Sequence, residues 1–504
     1  MADKTFDYII VGGGAAGCVL ANRLTEDTAC RVCLIEAGPD YGPDLANWPA
    51  DLLYGDGTRP ESHPWGHIQA VSHRDPLPNL PRGKVMGGSA AINGAIWLHG
   101  SAADYDGWAA LGNPGWTFDE ILPMFRKIEA DSLGGPFHGT DGPIPITRVP
   151  ESAATPIHLA LLETAREFGY PDIADFNGRR DQAPAVGPNP RNVRNGVRMH
   201  PAITYLALAR DRPNLTILPE TEIDRIAFDN HGATGVRTTN GRSIAAGEVI
   251  LSAGAYGSPA LLMRSGVGPG AHLRDLGIEI RLDMPGVGEH LLDHPLTSML
   301  GPMTIKPGCE PDREVFVPVL ITARSHQTSE EIDLHLYHGQ FLDGDTWKIW
   351  IVATLQDARS EGVVRLTGSD PASPLHIDHR YFSDPRDLEA LCDGVEMAAQ
   401  TFDSAMMDKV LVRDRTRAPR WRNRDELREQ VRASVDTTFH PSGTCKMGPA
   451  SDPLAVVDHA GKVHGVEGIR VVDASIFPTG PRCNLHGPTL AAAERIAAMI
   501  TGSG

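Results

Sequence analysis

Tyr8-Ile9-Ile10-Val11-Gly12-Gly13-Gly14-Ala15-Ala16-Gly17 decides the fold class. Its four leading apolar residues form a short run typical of a parallel strand buried on both faces. The glycine turn follows at once. Residues 18–25 then carry Val19, Leu20 and Leu24 at helical spacing, and Arg31-Val32-Cys33-Leu34-Ile35 returns as a second apolar strand ending in Glu36. One βαβ unit is therefore legible within about 30 residues.

Each glycine of this GxGxxG pattern has a physical task. Gly12 permits the tight turn, Gly14 lets a pyrophosphate approach the backbone, and Gly17 allows helix and strand to pack closely. The helix N-terminus offers unpaired N–H groups and a positive dipole end to phosphates. Glu36, 19 residues after Gly17, is placed to accept hydrogen bonds from ribose hydroxyls, and its charge disfavours a 2′-phosphate. An adenine dinucleotide is expected, and this unit alone leaves FAD and NAD both open.

Farther out the pattern changes twice. A stretch over 38–81, rich in Pro, Gly and Trp, shows no periodicity, and a loop of that length is expected to cover a ligand. Val249-Ile250-Leu251 is another buried-strand run, followed by a helix through Pro259-Ala260-Leu261-Leu262. Between about 300 and 355 the chain alternates, as in Ile332-Asp333-Leu334-His335-Leu336-Tyr337 and Trp347-Lys348-Ile349-Trp350, which predicts an antiparallel sheet with one face buried. A strand over 469–472 and a helix over 489–500 restore the first style. The fold class expected is α/β: a Rossmann-like dinucleotide-binding domain assembled from separated pieces, with an inserted domain built on a mostly antiparallel sheet with helices.

Composition removes other classes. The chain has 504 residues, 41% hydrophobic, with 53 Gly and 40 Pro, which suits a large turn-rich globule and excludes a coiled coil or a collagen. With 46 basic and 64 acidic residues the net charge is −18, so a nucleic-acid partner is not expected. The apolar stretch 8–21 contains four glycines and is too short to span a bilayer. It also lacks the pattern of a signal peptide, so no stable membrane insertion and a cytoplasmic location are expected. Seven cysteines make no disulfide framework. The Cys30/Cys33 pair has no second pair to complete a zinc site, so no metal is expected.

Five more segments carry a resemblance. Gly83-Lys84-Val85-Met86-Gly87-Gly88-Ser89-Ala90-Ala91-Ile92-Asn93 and Gly254-Ala255-Tyr256-Gly257-Ser258-Pro259-Ala260-Leu261-Leu262-Met263-Arg264-Ser265-Gly266-Val267-Gly268 resemble the two signatures of the glucose-methanol-choline (GMC) family of flavoprotein oxidoreductases. Pro285-Gly286-Val287-Gly288-Glu289-His290-Leu291-Leu292-Asp293-His294-Pro295 is similar to its PGVGxNLxDHP stretch. His440-Pro441-Ser442-Gly443-Thr444 resembles its HPxGT motif, and Val472-Asp473-Ala474-Ser475 with Asn484-Leu485-His486-Gly487-Pro488-Thr489 its closing flavin segment. The matches keep the family's order from residue 7 to about 497, in the manner of its bacterial, choline dehydrogenase-like members.

The resemblance implies FAD rather than NAD. Ile92 stands where some members attach the flavin through histidine, so noncovalent FAD is expected. The flavin contacts it implies are Gly12, Gly14, Ala15, Ala16, Gly17, Glu36, Ala37, Arg82, Val85, Gly88, Ser89, Asn93, Ala95, Ile223, Ala253, Asp473, Ala474, His486, Pro488 and Thr489. It implies an FAD-binding domain over 1–150, 205–298 and 440–504, and a substrate-binding domain over 151–204 and 299–439.

The chemistry implied is oxidation of a small alcohol (primary, aromatic hydroxymethyl or sugar) to the carbonyl, with hydride passing to flavin N5 and reoxidation by O2 or another acceptor. Removing the hydroxyl proton needs a base titrating near neutrality, which a histidine supplies. His440 is expected as the base, and His486 as a second group on the same oxygen, stabilising developing charge. Thr438 falls where, in similar proteins, the chain approaches the oxygen-reactive side of the flavin. His335 and His338 are expected to be structural; His99 and His294 carry no assigned role. A choline-type substrate would need a carboxylate or aromatic cage, for which Trp347, Trp350 and Glu331 lie in a suitable region of sequence. The alternative is a relative using bound flavin for lyase or photochemical work.

Overall fold

β1 (Phe6–Val11), α1 (Ala15–Leu24) and β2 (Val32–Ile35) realise the βαβ unit in the computed structural model, which describes residues 6–54, 62–66, 68–70, 80–312, 317–328, 331–413 and 420–502. β1 and β2 are parallel, and β3 (Leu215–Leu218) is parallel beside β2. β4 (Ile223–Phe228), β5 (Ala233–Thr238) and β6 (Ser243–Leu251) form an antiparallel meander, and the end of β6 runs parallel to β1. Ile469–Val471 pairs parallel with β6 and closes a seven-stranded sheet from segments more than 450 residues apart. Ile9, Ile10, Leu34, Val249 and Leu251 are fully buried, as runs covered on both faces require. α1 packs against the C-terminal helix, His486–Thr501, and α2 (Gly254–Arg264) follows β6.

The second sheet is antiparallel. Its order is Val435–Thr437, β7 (Pro295–Thr304), β10 (Thr346–Leu355), β9 (Leu334–Asp343), β8 (Val319–Ala323) and Ala185–Pro188. The predicted strands are present, and burial goes beyond the one face expected: 334–340 are buried throughout. Leu334 and Leu336 pack into a core with helices Pro156–Glu167 and Pro385–Phe402. His335 and Tyr337 point the other way, toward the first sheet. The alternation therefore records two different buried environments, one apolar and one polar.

The hairpin Val363–Leu366 and Leu375–Asp378, within the stretch 299–439, packs into the core of the first sheet. Backbone bonds Val364 N–H to Gly288 C=O (2.7 Å) and Leu291 N–H to Gly362 C=O (3.1 Å) hold it there. The described part of 38–81 contains only short pieces: Leu45–Asn47, Ala50–Leu53 and Ile68–Ala70; its positions 55–61, 67 and 71–79 lie outside the described residues. All seven cysteines are free, and Cys33 is core.

Candidate active site

The distant motifs meet through backbone hydrogen bonds. Gly87 N–H donates to Gly13 C=O at 2.7 Å, laying the 83–93 segment on the glycine turn. A Cβ on Gly12, which has φ +105°, would lie 2.3 Å from Ser252 O, so no other residue fits beneath β6. Asp473 accepts from Gly254 N–H (2.8 Å) and Ser258 O–H (2.6 Å), tying the start of α2 to the C-terminal segment. The HPxGT segment is stapled on three sides: Ser442 pairs with Leu292, Gly443 N–H donates to Ala474 C=O, and Thr444 O–H donates to Ala255 C=O at 2.6 Å.

These staples carry His440 to the seam between the sheets. Its backbone N–H donates to Asp293 Oδ1 (2.9 Å), an oxygen that also accepts His294 N–H. Its Nδ1 lies 2.9 Å from His294 Nδ1, and its Nε2 is 3.2 Å from Asn484 Nδ2. Asn484 Oδ1 accepts Tyr337 O–H at 2.8 Å, and Tyr337 Oη is 2.7 Å from His335 Nδ1. Burial, with smaller contributions from His294, Arg82 and His335, holds His440 well below the ordinary histidine pKa, so the ring is neutral.

His486 opens the C-terminal helix, its ring edge-on to Trp97 with centroids 5.7 Å apart and its Nε2 without a protein partner. Burial pushes it down to about 4. The side chain in contact with His440 Nε2 is Asn484, two residues before His486. His335 belongs to the same hydrogen-bonded group, whereas His338 faces His158 on the opposite side of the sheet. Trp347 packs into the helix-side core, Trp350 lies against Gly339, and Glu331 sits near Ser101 and Arg482. The three therefore do not converge on one cage.

On the dinucleotide side, Gly14 is the N-cap of α1 and Leu485 that of the C-terminal helix, and neither makes a side-chain cap bond. Their first-turn N–H groups are left for a ligand. Glu36 accepts Gly13 N–H (2.8 Å) and Gly38 N–H (2.9 Å), and burial pushes its carboxyl up to about 7 against those bonds. Both ring nitrogens of buried His200 lack protein partners, and His200 lies under Gly87. Lys84 pairs with Glu222 at 3.0 Å, joining the 83–93 segment to the start of β4 at Ile223. Gly88 sits on the glycine turn, with a Cβ on it only 2.8 Å from Gly14 Cα, while Val85 N lies against Gly38 and Ser89 N against Gly83. Ala253 caps α2, and Pro488 and Thr489 lie in the first turn of the C-terminal helix.

Glu129, Asp131 and His138 cluster closely enough to hold a cation. Their oxygens are already engaged: Glu129 by Trp97, His99 and His138, and Asp131 by both of its oxygens on Arg148. The cluster is a compensated ion network, and it buttresses Trp97 behind His486. His138 donates from both nitrogens, to Glu129 (3.0 Å) and Asp175 (2.7 Å). Burial opposes its charge, but these bonds override burial and raise its pKa to about 10. A histidine raised by folding stabilises fully below its unfolded value near 6.5 and loses that contribution as pH climbs through about 10. We expect His138→Gln to melt several degrees below the wild type at pH 6, with the gap closing by pH 10. A gap independent of pH would contradict the assignment.

Two family models, both described as GMC oxidoreductase, match residues 6–296 and 358–493. The chain belongs to the GMC oxidoreductase family. It is 36% identical to the oxygen-dependent choline dehydrogenase of Paraburkholderia phymatum, over 100% of this chain and 93% of that protein. It is 34% identical to oxygen-dependent choline dehydrogenase 1 of Chromohalobacter salexigens, over 99% and 95%. The solved structure of pyridoxine 4-oxidase from Mesorbium loti superposes with a TM-score of 0.88 at 29% identity, covering 99% of both chains. A formate oxidase structure reaches 0.87 at 24% identity over 100% and 99%, a likeness of fold alone. The GMC chain is accordingly an FAD-dependent oxidoreductase of CH–OH donors. The lyase or photochemical alternative gains no support from these relatives. Among the described residues, no helix is long and apolar enough to cross a membrane.

Sequence reasoning missed Asn484, His294, Asp293 and His200 as site residues. Asp293 and His294 lie inside the Pro285–Pro295 motif, but no spacing links them to His440, 146 residues beyond His294. Asn484 stood beside the histidine that drew attention.

Proposed function

We propose that this GMC oxidoreductase oxidises a small uncharged alcohol, with His440 as the general base. The carrying observation is the 3.2 Å approach of Asn484 Nδ2 to His440 Nε2. An alcohol O–H that takes the amide's place at Nε2, its oxygen lying beside the pair and within reach of Nδ2, donates its proton to Nε2 and accepts a hydrogen bond from the amide, which stabilises the charge left on oxygen. Tyr337 holds the amide in that orientation. His486 is the second polar group proposed for the site, with its unpartnered Nε2 available to substrate or cofactor.

The donors present fit a noncovalent FAD: two uncapped helix ends, the Gly12–Gly14 turn, Glu36, and orphaned nitrogens on His200 and His486. Bound FAD supplies the acceptor for the hydride that leaves the alcohol carbon. The sequence-based list from Gly12 to Thr489 stands as the proposed contact set, and the division into an FAD domain and an inserted substrate domain as the proposed organisation. O2 or another acceptor is the proposed oxidant. Seven free cysteines support a reducing, cytoplasmic compartment.

An uncharged substrate is favoured because the side chains around the His440 ring are neutral: Asn484, Tyr337, and the imidazoles of His294 and His335, which burial pushes down to about 4 and about 3. The test is anaerobic bleaching of the purified yellow protein against benzylic, aliphatic and sugar alcohols and choline, followed by admission of air. Fastest bleaching with choline would overturn the uncharged-substrate reading. No bleaching with any alcohol would overturn the proposed reaction.

A further inference from the structure

Two hydrogen-bond chains reach His440 from opposite sides, and both demand the same placement of its proton. Resting on the assignment of His440 as base, we infer that His294 is a positioning residue that keeps the proton of His440 on Nδ1 and so keeps Nε2 an acceptor, held by the Asn484 amide until an alcohol O–H takes its place. The first chain starts at Pro481. Its carbonyl can only accept, so the His294 ring nitrogen on that side, opposite the Nδ1 that meets His440, is the one suited to carry that ring's proton. His294 Nε2 also faces this segment, 3.5 Å from where a Cβ on Gly480 would stand. With Nε2 protonated, His294 Nδ1 is an acceptor, and the 2.9 Å contact then requires His440 Nδ1 to donate.

The second chain starts at Tyr337. Its O–H donates to Asn484 Oδ1 at 2.8 Å, which turns the amide NH2 toward His440. An amide nitrogen has no lone pair to offer, so His440 Nε2 must accept at 3.2 Å. Both chains select the tautomer with Nδ1 protonated and Nε2 bare. Asp293 makes the arrangement stiff, since one of its oxygens receives the backbone N–H of both histidines at 2.9 Å and the other receives Tyr381 O–H at 2.5 Å. Burial pushes His294 down to about 4, so its acceptor lone pair stays free at neutral pH. When the alcohol proton moves from oxygen to Nε2, positive charge sits on His440 and negative charge on the alcohol oxygen. The Nδ1–H bond to His294 then becomes charge-assisted and stronger.

The experiment is histidine-selective 15N NMR of the holoenzyme, with His440 assigned by difference from His440→Gln. The wild type is expected to show a protonated Nδ1 and a bare Nε2 at His440. His294→Leu removes the acceptor and is expected to mix the tautomers and slow anaerobic flavin reduction about 100-fold. His294→Asn restores an acceptor oxygen near the same place and is expected to stay within about fivefold of wild type. A proton on Nε2 in the wild type, or an unchanged tautomer and rate in His294→Leu, overturns the inference. Should His294→Leu fail to load flavin, the wild-type spectrum and His294→Asn decide. Failure of the base assignment reads separately, as wild-type bleaching in His440→Ala whatever the tautomer.

Discussion

His440→Ala is expected to keep its flavin and to bleach with alcohol about 1,000-fold more slowly than wild type under anaerobic conditions. That factor corresponds to about 4 kcal/mol of barrier. The expectation follows from geometry: the ring is neutral at working pH, its Nε2 faces the amide of Asn484, and its Nδ1 is committed to His294. The substitution sits beyond the staples at Ser442, Gly443 and Thr444, so backbone position is retained. Stopped-flow absorbance after anaerobic mixing measures it. Bleaching at the wild-type rate would remove His440 from the mechanism.

Arg198→Met carries the largest expected loss of stability. This guanidinium is 1% exposed and donates to four carbonyls: Asn93 at 2.7 Å, Leu52 at 2.8 Å, Ala91 at 2.6 Å and Tyr54 at 2.9 Å. It fastens the 83–93 segment to the turn at 50–54. Methionine fills comparable volume but leaves four carbonyl acceptors, those of Leu52 and Ala91 buried, without that donor. Each hydrogen bond to a charged group contributes roughly 1.5–3 kcal/mol, and with partial relaxation a net loss of about 4 kcal/mol is expected. Urea unfolding measures the loss, and the flavin-to-protein ratio should fall with it. Arg198→Lys keeps the charge but not the fork and should recover only part. A midpoint unchanged in Arg198→Met would show that these bonds are energetically idle.

The parts of the site legible from sequence are those where chemistry is local. The glycine turn, Glu36 and the apolar runs act over a few residues, and the structure places them in one βαβ unit. His440 was identifiable because its neighbours form a short motif. Its partners were not, since the contacts to His294 and Asn484 span 146 and 44 residues and depend on how two sheets meet. Burial on the second face of the alternating strand was not legible for a related reason. Polarity at His335 and Tyr337 reads as solvent from sequence alone, whereas here it belongs to a buried hydrogen-bonded group.

β9 and β10 are joined by Gly344 and Asp345 alone, with Asp343 paired to Thr346 and Gly344 at φ +59°. A two-residue turn has no slack, so it dictates the parity of every residue along the hairpin. Tyr337 lies six residues back, roughly 20 Å at the usual strand rise. One residue inserted at that distant tip would offer leucines to Asn484 and push Tyr337 into the helix-side core. The orientation of the Asn484 amide is thus set by the length of a loop that never approaches it.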